Sequence, residues 1–129
     1  MAFNINDDEN APYIYVTIAG SHTDSEMLEF QDAIFDCIGF SWRDQIIDYS
    51  ALEEYLVTAP GIIEYIEYAS GRGALMTLSS KRRIAFVAPS DLVYGMSRVF
   101  QSNADLLPGE RRVFRRREDA EAWLQTQRN

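Results

Sequence analysis

The sequence predicts an α/β domain with a mixed five-stranded sheet, in which an N-terminal hairpin precedes strand–helix units and about four helices. The last third of the chain, residues 83–124, contains an apolar strand, a Pro-Ser-Asp helix start, a second short strand and a closing helix. The N-terminal part instead contains two β-rich runs separated by turn residues. With neither linker nor repeat, residues 1–129 are expected to form one domain, which at this length can bury a core without metals or disulfides.

The N-terminal hairpin is predicted from the pattern of the first two runs. Residues 3–6 alternate apolar and polar side chains, as an edge strand does, and residues 13–19 are rich in β-branched residues. Residues 7–12 supply the turn. Gly20 is expected to end the second strand.

The first helix is predicted from Asp24 to Ile38. Thr23 and Glu26 form a capping box at its start, and Gly39 stops it. Apolar residues recur on one side at helical spacing, and acidic residues occupy the other. The apolar positions are Met27, Phe30, Ile34 and Ile38.

The middle of the chain predicts a short buried strand and a long helix. The strand is Asp44 to Tyr49, and Ser50 to Glu53 is a second possible capping box that opens a brief helical turn. The long helix begins near Thr58 with Pro60 in its first turn, and residues 74–80 fit either helix or loop. The side chains expected to face the sheet are Ile62, Ile63, Ile66 and Ala69.

The last third predicts two further strand–helix units. The strand at residues 84–88 leads through Pro89 and Ser90 into a helix that ends near Ala104. The strand at residues 111–115 leads into a closing helix at residues 118–126, whose first-turn acids suit the helix dipole.

Composition indicates a cytoplasmic globular protein. The N-terminus lacks the basic and apolar segments of a signal peptide, and no apolar run approaches the roughly 20 residues that span a bilayer. The single cysteine, Cys37, allows no internal disulfide.

The charge is distributed unevenly along the chain. Residues 1–70 hold 14 acidic residues and one base, whereas residues 71–129 hold six acidic and 11 basic residues, within a net charge of −8. The overall acidity argues against a nucleic-acid partner. Either the halves neutralise each other within one fold, or they select an oppositely charged partner or a second copy of the chain.

Two basic clusters hold most of the positive charge. Within them, Lys81 to Arg83 and Arg111-Arg112 are expected at one edge of the sheet, because strands joined by a crossover helix run parallel. This edge either binds an anionic surface, such as a membrane or an acidic protein, or is solvated and prevents strand pairing. The clusters are residues 81–83 and residues 111–117.

No catalytic or metal-binding signature stands out. His22 precedes the first helix and Cys37 lies in its last turn, so about 20 Å of helix separates them at 1.5 Å per residue. Zinc would need several His or Cys ligands. Asp48 at a strand's carboxyl end is an alternative general base or cation ligand, or it caps the following loop. We expect a protein that is not an enzyme and has no metal or cofactor.

Two hydroxyl groups are candidate phosphorylation sites. Ser50 and Thr58 lie between the third strand and the second long helix. A phosphoryl group there would meet the amides of a helix start, whereas plain N-capping also explains both residues.

Aromatic residues between Tyr49 and Tyr68 exceed what one helix face needs. They predict a groove for an apolar ligand or an oligomer contact, or else a packed core. Arg98 follows Tyr94 by four positions on the third helix, so the two share a face, for ligand contact or simple stacking. The candidate ligand-binding residues are Tyr49, Tyr65, Tyr68, Tyr94 and Arg98.

The order of these motifs resembles the STAS superfamily, the sulfate transporter and anti-sigma factor antagonist domains, and within it the stage II sporulation protein AA-like (SpoIIAA-like) group. The likeness covers nearly the whole chain. It rests on Gly20 with Thr23, the strand ending in Asp48, residues 85–89, the pattern of residues 94–100, Val113-Phe114, and residues 120–124.

The resemblance implies a mixed sheet with helices packed against it, and binding instead of catalysis. Anti-sigma antagonists of the superfamily are switched by phosphorylation in a loop like Asp-Ser-Ser-Gly at the start of the second helix. Residues 58–61 occupy that region with a different sequence, so Thr58 is the residue carried over. Members of the SpoIIAA-like group look like binders of apolar ligands or membranes.

We therefore expect a binding or regulatory module of SpoIIAA-like fold. Its partner is an apolar small molecule or a protein, with peripheral membrane contact and homodimerisation as further expectations. The alternatives are a regulator switched at Thr58 or Ser50, and an enzyme that uses Asp48.

Overall fold

The computed structural model describes residues 3–73, 78–104 and 107–126. In this part of the chain five strands and four helices alternate after an initial hairpin. The strands are β1 (Phe3–Asn6), β2 (Tyr13–His22), β3 (Asp44–Tyr55), β4 (Arg83–Val87) and β5 (Glu110–Phe114). The helices are α1 (Asp24–Phe35), α2 (Ala59–Gly73), α3 (Asp91–Asn103) and α4 (Arg117–Gln125).

The five strands form one mixed sheet in the order β1-β2-β3-β4-β5. β1 pairs with β2 in antiparallel fashion, and every other neighbouring pair is parallel. Each parallel connection passes through a helix, as parallel pairing requires. The predicted hairpin, mixed sheet and strand–helix order are confirmed.

Helices cover both faces of the sheet, but unequally. Alternate residues of β2, Ile14, Val16 and Ile18, are fully buried against α1, and side chains of α2 and α3 pack against the same cluster. On the other face Ile46, Ala85 and Val87 pack against Ala120, Trp123 and Leu124 of α4. The period-two alternation of β2 thus separates a three-helix side from a one-helix side.

Strands β2 and β3 extend farther than the sequence predicts. Gly20 does not end β2; it sits at φ +66° near register shifts, and the pairing continues to His22 with Tyr55. Residues 50–53 are therefore strand and not the predicted helical turn. Beyond Asp48, β3 pairs with β2 only, so the two form a parallel ribbon that projects past β4. The irregular register hides this extension, because it breaks the alternation of side chains.

Helix α1 begins as predicted and ends early. The Thr23 hydroxyl accepts a hydrogen bond from the Glu26 amide, which caps the helix start. The helix ends at Phe35, not Ile38. The Asp36 and Cys37 amides donate to the carbonyls of Ala33 and Ile34, three residues back instead of the four of an α-helix. Ile38 is consequently exposed and does not extend the apolar stripe.

A buried arginine fixes the segment between α1 and β3. The Arg43 guanidinium donates hydrogen bonds of 2.7–3.3 Å to backbone carbonyls of the β1–β2 turn and of the segment after α1. Gly39 at φ +75° lies against this side chain, and a Cβ there would clash with it. The acceptors are Asp7, Asp8, Ala11, Tyr13 and Ile38.

Helices α2 and α3 begin at the predicted caps. The Thr58 hydroxyl accepts from the Gly61 amide, and the Ser90 hydroxyl accepts from the Val93 amide. Ile62, Ile66 and Ala69 are buried as predicted, but Ile63 is exposed. Residues 74–77 of the ambiguous stretch lie outside the described residues, and residues 78–80 form no helix.

Residues 81–83 and Arg111-Arg112 lie side by side, as expected, but they do not form one solvated edge. Strand alternation sends Arg82 and Arg111 to the three-helix side, where Arg82 is buried and Arg111 half-buried. On the opposite side Arg83 and Arg112 stack over the Trp123 ring at 5.2 and 5.1 Å from its centroid. The clusters therefore divide between the two faces of the sheet.

Candidate functional site

A cavity lies between the sheet and helices α1, α2 and α3. Its volume is about 70 Å³. One buried water needs about 10–15 Å³ of such space, so the cavity could hold about five to seven water-sized groups. Most of the lining is apolar or aromatic. The apolar lining includes Met27, Phe30, Ile34, Ile47, Ile62, Ala69, Ile84, Phe86, Met96 and Phe100.

The strand register collects polar side chains at one end of this cavity. Gln45 of β3 is paired with Ile84 of β4, which is paired with Arg111 of β5. Arg82 lies two residues before Ile84 and so projects to the same side. All three polar residues line the cavity at the amino ends of the strands, and Gln31 of α1 joins them. We call Gln31, Gln45, Arg82 and Arg111 the polar end.

Arg82 is the most constrained member of the polar end. Arg82 is 3% exposed, and its guanidinium donates to the Phe40 carbonyl at 3.1 Å and to the Pro108 carbonyl at 3.3 Å. Burial, with the nearby charge of Arg111, lowers its pKa to about 10, although the carboxylate of Asp44 acts in the opposite direction. The side chain thus carries its positive charge at neutral pH in a poorly solvated place.

Arg111 brings a second cation to the polar end. Its guanidinium donates to the Leu107 carbonyl at 3.1 Å and more weakly to those of Pro108 and Gly109. Burial lowers its pKa below the usual arginine range. Among the described residues, no carboxylate forms an ion pair with Arg82 or Arg111.

Two polar atoms at this end are buried with no hydrogen-bond partner among the described residues. They are Nε of Arg82 and Oε1 of Gln31, a residue only 1% exposed. An unpaired buried polar atom costs about 1–3 kcal/mol, so a native fold normally satisfies such groups. Among the described residues the polar end therefore retains one unused donor, the Nε of Arg82, and one unused acceptor, the Oε1 of Gln31.

Aromatic side chains close the opposite end, where the β2–β3 ribbon leaves the sheet. His22 lies 6.0 Å from the Tyr49 ring and 6.2 Å from the Tyr55 ring, measured between centroids. Burial lowers the pKa of His22 to about 4, so the imidazole is neutral at pH 7. Burial also raises the pKa of Tyr55 to about 12 and that of Tyr49 well above 10. The His22, Tyr49 and Tyr55 side chains at this end are therefore uncharged at pH 7.

Tyr65 of α2 reaches the wall between these ends. Its ring lies edge-on to Phe100 of α3, with 5.4 Å between centroids, and Phe100 in turn contacts Phe86 of β4. Burial raises the pKa of the Tyr65 hydroxyl to about 12, with the charges of Arg111 and Arg82 acting to lower it. Its phenol is therefore a neutral hydrogen-bonding group near the two arginines.

The structure brings two of the five predicted ligand-binding residues together. Tyr49 and Tyr65 line the cavity. Tyr68 is 42% exposed on α2, where its hydroxyl donates to Asp32.

Tyr94 lies under Arg115, whose guanidinium carbon is 4.1 Å from the ring centroid, and Arg98 is exposed on the same helix. The predicted Tyr94–Arg98 face is thus occupied by a different arginine and lies outside the cavity. Gly95 beside it approaches no other element, because a Cβ there would meet nothing within 4 Å.

Sequence reasoning missed the polar end. It placed Arg82 and Arg111 in basic surface clusters and did not single out Gln31 or Gln45. A signal existed: Arg82 and Arg111 each lie two residues before an apolar strand residue, Ile84 and Val113, that packs on the three-helix side.

Asp48 lies on the opposite face of the sheet from the cavity. Its carboxylate accepts hydrogen bonds from the Tyr15 hydroxyl at 2.5 Å and from the Ser50 amide at 2.8 Å. The second contact matches the capping role considered from the sequence. Burial and the Asp48 carboxylate together raise the pKa of Tyr15 to about 12.

The two candidate phosphorylation sites have different surroundings. Ser50 is exposed on β3. The Thr58 hydroxyl donates to the Asp24 carboxylate at 2.8 Å, and its amide donates to the same group at 2.9 Å. A phosphate on Thr58 would meet this carboxylate, and like charges repel.

The described residues contain no group of three or more His, Cys, Asp or Glu side chains placed to hold a metal ion. Cys37 lies just after α1, and burial raises the pKa of its thiol to about 11, so it is not a thiolate at neutral pH. Within the same described part, no helix has both the length and the apolar character to cross a membrane.

One solved structure resembles the chain over nearly its whole length. It is the crystal structure of an uncharacterized protein of the DUF3478 family from Shewanella loihica PV-4, which has a SpoIIAA-like fold. The TM-score is 0.55 at 19% sequence identity, covering 95% of this chain and 92% of that chain. No protein-family model and no curated protein matches the sequence. The likeness confirms the SpoIIAA-like α/β fold that the sequence motifs predicted.

Proposed function

We propose that this chain is a binding module that takes up a small apolar molecule in the cavity between its sheet and helices α1–α3. The observation that carries the proposal is the cavity itself: an apolar space with a few polar groups at one end. Small-molecule sites in proteins commonly have this composition, because apolar walls supply affinity and a few polar groups fix orientation.

Binding is favoured over catalysis by the character of the cavity's titratable groups. His22 is neutral and packs against two tyrosine rings, and the tyrosine hydroxyls have raised pKa values, so none is poised to exchange a proton near pH 7. A SpoIIAA-like fold also hosts regulatory modules. We infer that this chain is such a module and that ligand binding is the signal to which it responds.

Native mass spectrometry of the gently purified protein tests the proposal, with Ala69→Met as the informative variant. Ala69 is buried on α2 and lines the cavity, so a methionine there would fill space that the ligand needs. Ala59→Met, at the exposed start of the same helix, is the matched control.

We expect a discrete small-molecule adduct, either co-purified or formed with added hexanol, on the wild type and on Ala59→Met. The adduct should be lost or at least tenfold weaker on Ala69→Met, because its side chain occupies the site. Equal adducts on all three proteins would place the molecule elsewhere, and no adduct even with added hexanol would refute the proposal.

A further inference from the structure

We propose that the ligand carries a carboxylate head group, which Arg82 and Arg111 hold at the polar end while its apolar part extends along the sheet. This inference rests on the proposed function and adds the chemical class of the ligand. It commits to one anion because a carboxylate is planar, small and matched to the fork of a guanidinium.

The first argument is charge. Two guanidinium groups are held together on one side of the sheet, and no described carboxylate forms an ion pair with either. Buried charges in native proteins are normally paired, because an uncompensated charge in a poorly solvated place is costly. An anionic ligand would supply the direct ion pair that neither guanidinium forms with a described carboxylate.

The second argument is the unused hydrogen-bonding capacity of the same end. A guanidinium has five N–H donors, and the buried Nε of Arg82 has no hydrogen-bond partner in the described part of the chain. The bonds to the carbonyls of Phe40 and Pro108 use its other nitrogens and hold the side chain in place. These contacts orient the group without neutralising it, since carbonyl oxygens carry no net charge.

The third argument is that an apolar wall continues from the two arginines and can contact the rest of the ligand. From Arg82 and Arg111 the same face of the sheet continues through Ile84 and Phe86 on β4 and Ile47 on β3, to the uncharged tyrosines of the ribbon. A molecule bound by its head at the amino ends would thus place its tail on apolar side chains. The limited volume favours a short chain.

Isothermal titration calorimetry at pH 7 tests this inference with matched pairs: hexanoate against hexanol and octanoate against octanol. The proteins are the wild type, Arg82→Gln, Arg111→Gln, the charge-retaining Arg82→Lys, and Arg116→Gln as control. Arg116 is an exposed arginine at the start of α4, on the other face of the sheet.

We expect the wild type and Arg116→Gln to bind each carboxylate more tightly than its alcohol. Arg82→Gln and Arg111→Gln should lose roughly 10- to 100-fold in carboxylate affinity and much less in alcohol affinity, so that their preference for carboxylate over alcohol falls. Arg82→Lys should fall between, because it keeps the charge but not the fork. Retained alcohol binding also shows that a variant has kept its fold.

The outcomes separate the two proposals. If alcohols bind the wild type as tightly as carboxylates, the head-group assignment is wrong and the proposed apolar site stands. If hexyl phosphate binds more tightly than hexanoate, the anion is a phosphate and the carboxylate is wrong. If neither alcohol nor carboxylate binds, both proposals fall.

Discussion

Buried polar residues carry the most information at the scale of single side chains. His22 is the chain's one histidine, it is 2% exposed, and burial lowers its pKa to about 4. In the unfolded chain the imidazole has a pKa near 6.5, so below that pH the unfolded state binds a proton that the folded state does not. Folding stability is therefore lost as the pH falls from 6.5 towards 4.

The lowered pKa of His22 makes the free energy of unfolding depend measurably on pH. Between pH 7 and pH 5 His22 should lower the free energy of unfolding by about 2 kcal/mol. His22→Phe keeps a ring packed against Tyr49 and Tyr55 but cannot titrate. Urea denaturation of both proteins at the two pH values should show the wild type losing about 2 kcal/mol more than the variant. Equal losses would mean that the folded imidazole titrates normally.

Single buried cations are the residues that sequence pattern predicts worst. Arg43 ties together the β1–β2 turn and the segment after α1, yet in the sequence it is an isolated basic residue in an acidic half. The partners of such a side chain are backbone carbonyls of residues distant in sequence. Because every residue has a backbone carbonyl, the sequence does not reveal which ones accept. The same reason hid the roles of Arg82 and Arg111.

At the scale of elements, the caps of the helices were predictable because capping is a local interaction. Thr23, Thr58 and Ser90 all accept hydrogen bonds from amides three residues ahead. The end of α1 and the ribbon of β2 and β3 were not predictable, since a tight turn and a register shift depend on pairing with distant residues.

The start of α2 is joined to the start of α1 through one carboxylate. Asp24 accepts from both the amide and the hydroxyl of Thr58 and lies against Gly61, where a Cβ would clash with it. Gly61 is thus required for this approach of the two helices, whereas Gly95 on α3 has open space around it.

Replacing each glycine by alanine should therefore change stability in opposite directions. Gly61→Ala should lower the free energy of unfolding by about 1–2 kcal/mol, because it displaces the Asp24 carboxylate from Thr58. Gly95→Ala should raise it by about 0.5–1 kcal/mol, as expected for a glycine in a helix interior. Chemical denaturation of the two variants measures both; stabilisation by both would show that α1 and α2 approach less closely.

At the scale of the whole molecule, the fold was predictable and the site only in part. The order of strands and helices follows from periodicity and caps, which is why the mixed sheet could be predicted and why it matches a SpoIIAA-like structure. The tyrosine-rich stretch predicted a groove or contact surface, and of the five predicted ligand-binding residues Tyr49 and Tyr65 line the cavity. Which tyrosines turn inward depends on the pairing of β3 and the rotation of α2.

Among the described residues, the acidic and basic halves of the chain meet in ion pairs at Arg72. Arg72 of the basic half pairs with Asp32 of the acidic half at 2.6 Å, which fits mutual neutralisation within one fold. Other basic residues instead stack on aromatic rings, as Arg117 does over Tyr15 with 4.2 Å to the ring centroid. Selection of a charged partner or a second copy stays a prediction.

The most direct test of an internal ligand site is an NMR measurement of intermolecular nuclear Overhauser effects in protein saturated with hexanoate. The methyl groups of Ile47, Ile62 and Ala69 line the cavity, whereas Ile38 and Leu92 are exposed apolar residues that serve as internal controls. We predict effects from the ligand's methylene protons to the first set and none to the second. Contacts confined to Ile38 or Leu92 would place the ligand on the surface and contradict an internal site.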